Sequence, residues 1–197
     1  MNEYMKNKKI AIFASGSGSN AQKIVEYFKE NSNIEVSLIL TNNPAAGVIE
    51  RARTLHIPVV VFDKTTFTTT DKIVQLLQNQ QIDLIVLAGF MMLVPKNLVE
   101  AFPNKIVNIH PALLPKFGGK GMYGHFVHEA VVAAKEKESG ITIHFVNEKY
   151  DDGAVIFQAK CIVAPTDSPN DVAAKIQVLE HEHYSEVIEK LFDADNY

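Results

Sequence analysis

Short apolar runs alternate with amphipathic stretches along the first half of the chain. "KKIAIFA" (8–14) runs into Ser-Gly-Ser-Gly and reads as a buried strand. "NAQKIVEYFKEN" (20–31) sets Ile24, Tyr27 and Phe28 on one helical face. The pattern then repeats. A strand "IEVSLIL" (34–40) precedes a short helix "AAGVIERARTL" (45–55) and a strand "IPVVVF" (57–62). A helix "DKIVQLLQNQ" (71–80) follows, with Ile73, Val74, Leu76 and Leu77 inward. "IDLIVLAG" (82–89) is the most apolar run, which suits a central strand. A short helix "KNLVEAF" (96–102) and a strand "KIVNIH" (105–110) complete this part. Such alternation predicts a parallel, doubly wound sheet with right-handed crossovers.

The style then changes. "HEAVVAAKEKE" (128–138) predicts a helix. "GITIHFVNE" (140–148) and "GAVIFQAKCIV" (153–163) predict an antiparallel hairpin added to the sheet through the turn "KYDD". Residues 168–192 read as one long helix, with Ser168 as N-cap, Pro169 in its first position, and Val172, Ile176, Leu179, His183 and Val187 as the buried stripe. The expected fold is α/β: a doubly wound, mostly parallel, Rossmann-like sheet with an antiparallel C-terminal hairpin and a long C-terminal helix. No linker divides residues 1–197, so one domain is expected, with 1–7 a short disordered start.

Composition narrows the function classes. Net charge is -4, with 19 basic and 23 acidic residues, which argues against nucleic acid as the main partner. Arginine occurs only at 51 and 53, so an anion site elsewhere must use backbone amides, lysines or hydroxyls. The single cysteine, Cys161, rules out an intramolecular disulfide, and mid-strand it suits packing better than nucleophilic chemistry. The apolar run near the start is too short for a signal peptide or a membrane span, so a cytoplasmic protein without a membrane partner is expected.

Two places carry candidate chemistry. "FASGSGSNA" (13–21) links the first strand to the first helix, where small residues and unpaired helix N–H groups suit a phosphate. Gly16, Gly18 and Ala21 match the dinucleotide fingerprint, but the acid that fingerprint needs after the second strand is replaced by Thr41-Asn42-Asn43. The loop therefore reads as a site for one phosphate, with Ser19 and Asn20 as extra donors, or as a tight turn with no ligand. In "VNIHPALLPKF" (107–117), Asn108 and His110 are two apart on a strand, so both face one side, roughly 6.5–7 Å apart. They sit at the strand's C-terminal end, the ligand edge of open α/β sheets. Taken alone, such a pair also suits a capping amide and a surface imidazole. Asp151 in the hairpin turn alters that balance. A carboxylate beside the imidazole would orient it and raise its pKa, giving equipment for an oxyanion. Asp152, which precedes Gly153, suits turn chemistry instead.

The runs "ASGSGSN", "LAGFMMLVP", "VNIHPALLPKF", "GITIHFVNEKYDDGAVIFQ" and "AKIQVLEHEHY" resemble, in order, the landmarks of folate-dependent formyltransferases, and most of all the phosphoribosylglycinamide formyltransferase family. The resemblance spans residues 8 to 192. It implies formyl transfer from the co-substrate 10-formyltetrahydrofolate to the amine of glycinamide ribonucleotide, without a metal. It also implies that Gly18, Ser19 and Asn20 hold the substrate phosphate and that Gln177 and Glu180 meet the ribose. Phe90, Met91, Met92, Leu93 and Val94, with Asn108, would line the folate pocket, and Asn108, His110 and Asp151 would be catalytic. The bare residues at 90–94 read equally as core packing after the central strand.

This sequence departs from the family in three places. Arginines often found at the position of Met92 and near Thr70 are absent, and "GGKGMYGHF" (118–126) is longer than expected. His125 and His128, and His181 and His183, lack an acid or cysteine to complete a metal set. Alternatives are a formyltetrahydrofolate deformylase or a methionyl-tRNA formyltransferase, each expected to need a further domain. A non-catalytic nucleotide-binding module and a nicotinamide-dependent oxidoreductase are more distant.

Overall fold

A computed structural model describes residues 7–193 of the chain. The expected start at 1–7 therefore lies outside the described residues but for Asn7. The elements run β1 (Lys8–Phe13), α1 (Ser19–Phe28), β2 (Ile34–Thr41), α2 (Val48–Leu55), β3 (Val59–Val61), α3 (Lys64–Thr69), α4 (Lys72–Asn79), β4 (Leu84–Leu87), α5 (Lys96–Ala101), β5 (Ile106–His110), α6 (His125–Ala133), β6 (Glu138–Phe145), β7 (Val155–Ile162) and α7 (Pro169–Asp193). One seven-stranded sheet has the order β3-β2-β1-β4-β5-β6-β7. Strands β1 to β5 are parallel, and β6 and β7 run as the expected antiparallel hairpin.

Strand alternation feeds two cores. Ile10 and Ile12 of β1 face a core shared with α1, α2, α6 and α7, while Ala11 and Phe13 face one shared with α3, α4 and α5. All four residues of β4 are buried, as a central strand requires. Among the described residues, no helix is long and apolar enough to cross a membrane.

Several local expectations are corrected. Helix α3 was not anticipated, because a threonine run is a poor helix former. Asp63 caps it, accepting from Thr66 N at 2.7 Å, and buried Phe67 anchors it. Helix α6 starts three residues before the expected 128 and ends five before 138. Lys135 then takes a left-handed turn (φ 53) and the following chain joins β6. Tyr27 is not inward: its ring packs edge-on against Phe28 and its hydroxyl donates to Glu189 at 2.6 Å. In α7 the buried line is Val172, Ile176, Tyr184 and Val187–Ile188, with Leu179 and His183 only half-buried. The N-cap stands: Ser168 and Asp171 exchange hydrogen bonds across the first turn.

Candidate active site

From β1 the sheet grows one way through β2 and β3, and from β4 the other way through β5. The loops after β1 and β4 part between the two directions, and a crevice opens at their C-terminal ends. A cavity of about 610 Å³ fills it. Every candidate residue borders this cavity: Gly18, Ser19, Asn20, Phe90, Met91, Met92, Leu93, Val94, Asn108, His110, Asp151, Gln177 and Glu180. Asn20 and Glu180, 160 residues apart in sequence, meet there, which no local pattern could show.

At one end the glycine loop meets α7. Asn20 Nδ2 donates to Glu180 Oε2 at 2.9 Å, and Gln177 Nε2 donates to Ser19 Oγ at 3.3 Å. Burial raises the Glu180 carboxyl above its ordinary range, against the opposing hydrogen bond from Asn20. Asn20 Oδ1 is buried with no partner among the described residues. Gly18 has φ 78, and a Cβ there would lie 2.6 Å from Val48 Cβ, so only glycine fits the turn. Asn42, where the dinucleotide fingerprint wants an acid, instead accepts from Ser15 Oγ at 2.6 Å. Ser15 Oγ in turn accepts from Met91 N at 3.0 Å, so this asparagine ties the loop after β1 to the segment after β4.

The second group lies at the end of β5. Strand β6 pairs with β5 so that His144 sits opposite Asn108 and Thr142 opposite His110. His144 Nδ1 lies 2.8 Å from Phe145 O, so that nitrogen carries the proton. Its Nε2 then accepts from Asn108 Nδ2 at 3.1 Å and sets which way the amide faces. His110 is buried, with Nε2 donating to Phe117 O at 2.8 Å and Nδ1 facing Asp151 Oδ1 at 3.5 Å. His144 Nε2 lies 3.7 Å from the same carboxylate oxygen. Gly119 N donates to Asp151 Oδ2 at 2.9 Å, which ties the 118–126 stretch to the hairpin turn.

The expected sign of the His110 shift is corrected. Burial lowers its pKa by more than Asp151 and the Phe117 carbonyl raise it. A nearly sealed imidazole loses more hydration than one carboxylate returns. Burial also pushes the Asp151 carboxyl up, but the pull of His110 and the Gly119 N–H hold it below the ordinary carboxylate range. His144 was missed by sequence reading. Its signal was available in "GITIHF", a histidine two places from a threonine on a strand, but the register against Asn108 was not.

The third part is apolar. Phe90 packs in a ring cluster with Phe13, Phe62 and Phe67, and Val94 is buried in the core, as the packing reading of 90–94 expects, while all five residues also border the cavity. Met91 and Leu93 are exposed at the rim. Gly119, Gly121, Tyr123 and His128 close another side. Lys149 is the one lysine or arginine on the lining among the described residues. His125 pairs with Glu129 at 3.1 Å one turn along α6, while His128 is buried. The Leu114–Pro115 bond is cis. Thr142 Oγ1 holds that loop, accepting from Leu114 N at 3.0 Å and donating to Ala112 O at 2.7 Å.

A sheet-edge crevice with a small-residue loop, an amide–imidazole–carboxylate cluster and an apolar shelf is equipment that suits acyl transfer. The profile of the formyl transferase family matches residues 8–188, and the chain belongs to that family. Proteins named phosphoribosylglycinamide formyltransferase are similar along most of its length. The Bacillus subtilis protein is 37% identical, covering 96% of this chain and 97% of its own. The chloroplastic protein of Arabidopsis thaliana is 44% identical over 93% of this chain. This chain spans 65% of that plant relative's length. The crystal structure of phosphoribosylglycinamide formyltransferase from Bacillus halodurans superposes with a TM-score of 0.86, at 39% identity, covering 95% of this chain and 96% of that one.

Proposed function

We propose that this protein transfers the formyl group of 10-formyltetrahydrofolate to the primary amine of glycinamide ribonucleotide. The carrying observation is that one cavity joins the Gly18–Ser19–Asn20 loop, the Gln177 and Glu180 side of α7, the Asn108–His110–Asp151 cluster and the 90–94 shelf. In this reading the loop holds the phosphate, Gln177 and Glu180 take ribose hydroxyls, and residues 90–94 receive the folate. Binding energy from the remote phosphate then serves to place the amine at the formyl carbon. The amine's lone pair forms the new C–N bond as the carbonyl pair moves onto oxygen. Asn108 and protonated His110 stabilise that oxyanion. His110 Nε2 lies on the Phe117 carbonyl, so it must exchange that carbonyl for the substrate oxygen. Collapse breaks the bond to N10, and the proton lost by the amine reaches N10 through His110 or a water held by Asp151.

A hydrolase needs only folate and water and has no use for a cradle built from both ends of the chain. The test is turnover of formyltetrahydrofolate with and without the ribonucleotide. Formylated ribonucleotide should form only when both are present. Equal formate release in both cases would make the protein a deformylase. Ser19→Ala and Asn20→Ala should each raise KM for the ribonucleotide roughly tenfold, as loss of hydrogen bonds to a charged group does, with a far smaller effect on KM for formylfolate.

A further inference from the structure

Two successive carbonyls of the glycine loop are taken by the same neighbouring helix. Val48 N, at the start of α2, donates to Gly16 O at 3.2 Å. One turn later Arg51 Nε donates to Ser17 O at 2.8 Å. In a planar trans peptide the C=O and the N–H that follows it point in opposite directions. Holding both carbonyls on the α2 side therefore turns the N–H groups of Ser17 and Gly18 the other way. Neither N–H has a partner among the described residues, and both residues border the cavity.

The geometry points to Arg51 as a positioning residue for phosphate binding, acting through the Ser17–Gly18 peptide. This rests on the phosphate reading of the loop given above. Val48 Cβ fills the space beneath Gly18, but a side chain packed from below does not fix the rotation of the peptide that precedes it. Arg51 does. Its planar fork holds Ser17 O through Nε while Nη1 donates to Gln22 Oε1 on α1. Gln22 is itself held, donating to Glu26 at 2.6 Å. The guanidinium thus locks the loop's peptide plane to the first turns of α1. A cation on the carbonyl also polarises that peptide, which strengthens its N–H as a donor to an anion. Lysine offers a point charge and no rigid fork.

The test uses steady-state kinetics of the full chain with glycinamide ribonucleotide and with its dephosphorylated form. Arg51→Met should raise KM for the ribonucleotide about tenfold while kcat falls less than threefold, the size expected when an anion's hydrogen bonds are misaligned. With the dephosphorylated substrate, the drop in kcat/KM on substitution should shrink below twofold. Arg51→Lys should recover less than half of the lost affinity on a logarithmic scale. An equal penalty with both substrates, or none with either, would overturn the inference. Full recovery by lysine would overturn it too, because charge alone would then suffice. Should the parent protein use both substrates equally well, the phosphate reading itself falls, an outcome distinct from the other three.

Discussion

His110 faces opposing demands. Its ring is sealed from water, which favours the neutral form, while the acceptors at both nitrogens favour the doubly protonated one. Burial prevails, and the imidazole rests below its ordinary pKa. Asp151 is the group that keeps the charged form within reach. His110→Ala and Asn108→Ala should each lower kcat roughly 10²-fold, as loss of one oxyanion donor does. Asp151→Asn removes the charge that favours imidazolium, so the alkaline limb of the kcat–pH profile should move to lower pH. Retention of activity within a few-fold in all three variants would refute the assignment. A wild-type profile for Asp151→Asn would refute the electrostatic role alone. His144 belongs at this scale as well, because its Nδ1 contact to Phe145 O decides the direction of the Asn108 amide. A histidine in an apolar strand carries no such information in its own neighbourhood.

Helix α7 shows how an element acquires function from its phase. Its buried line steps by four from Val172 through Ile176 to Tyr184, and Glu180 stands on the same line where it crosses the cavity. Hydrophobicity pointed to Leu179 and His183 instead, since a carboxylate and a phenol are not expected inside. Both polar groups are accommodated by partners. Glu180 accepts from Asn20, and the Tyr184 hydroxyl donates to Leu87 O at 3.0 Å, with Val107 O at 3.3 Å. Tyr184 therefore ties α7 to the C-terminal end of β4 and to β5 at the residue before Asn108. Tyr184→Phe should cost roughly 1–2 kcal/mol of stability, the penalty for orphaning a buried acceptor, measured by urea unfolding. A cost near zero would mean that water replaces the hydroxyl. At the N-cap of α1, Gly18→Ala should destabilise by roughly 1–3 kcal/mol, because it combines a positive φ with a clash against Val48. Its ribonucleotide KM should rise with it. Unfolding and kinetics indistinguishable from the parent would show that the loop has other conformations open to it.

Across the whole molecule, burial of histidines ties stability to pH. His110 and His128 both sit below the ordinary histidine pKa, chiefly through burial. The unfolded chain therefore binds protons first as pH falls. Their contribution is whole above the ordinary histidine range and is lost as pH drops through it toward the native values. The Glu180 carboxyl is raised, so its protonation in the fold opposes that loss at lower pH. Unfolding free energy should thus decline between pH 7.5 and 5.5, and the decline should be shallower in His128→Gln. A flat parent curve, or an unchanged slope in the variant, would contradict this account.

The strand–helix alternation, the sheet type, the added hairpin and the capped last helix were legible because each is written in local periodicity and turn chemistry. The candidate residues were legible where short motifs concentrate them, as in the glycine loop and the end of β5. Helix α3 and the bounds of α6 were not, since tertiary burial of Phe67 and pairing of Glu138 in β6 overrode local preference. The amino-acid order alone thus decided which side chains are available and which strand ends carry them. Only the tertiary structure decided that Asn20 meets Glu180, that His144 faces Asn108, and that Arg51 grips Ser17. Those contacts depend on strand register and helix phase, which are set by how whole faces pack and leave no mark in the residues near either partner.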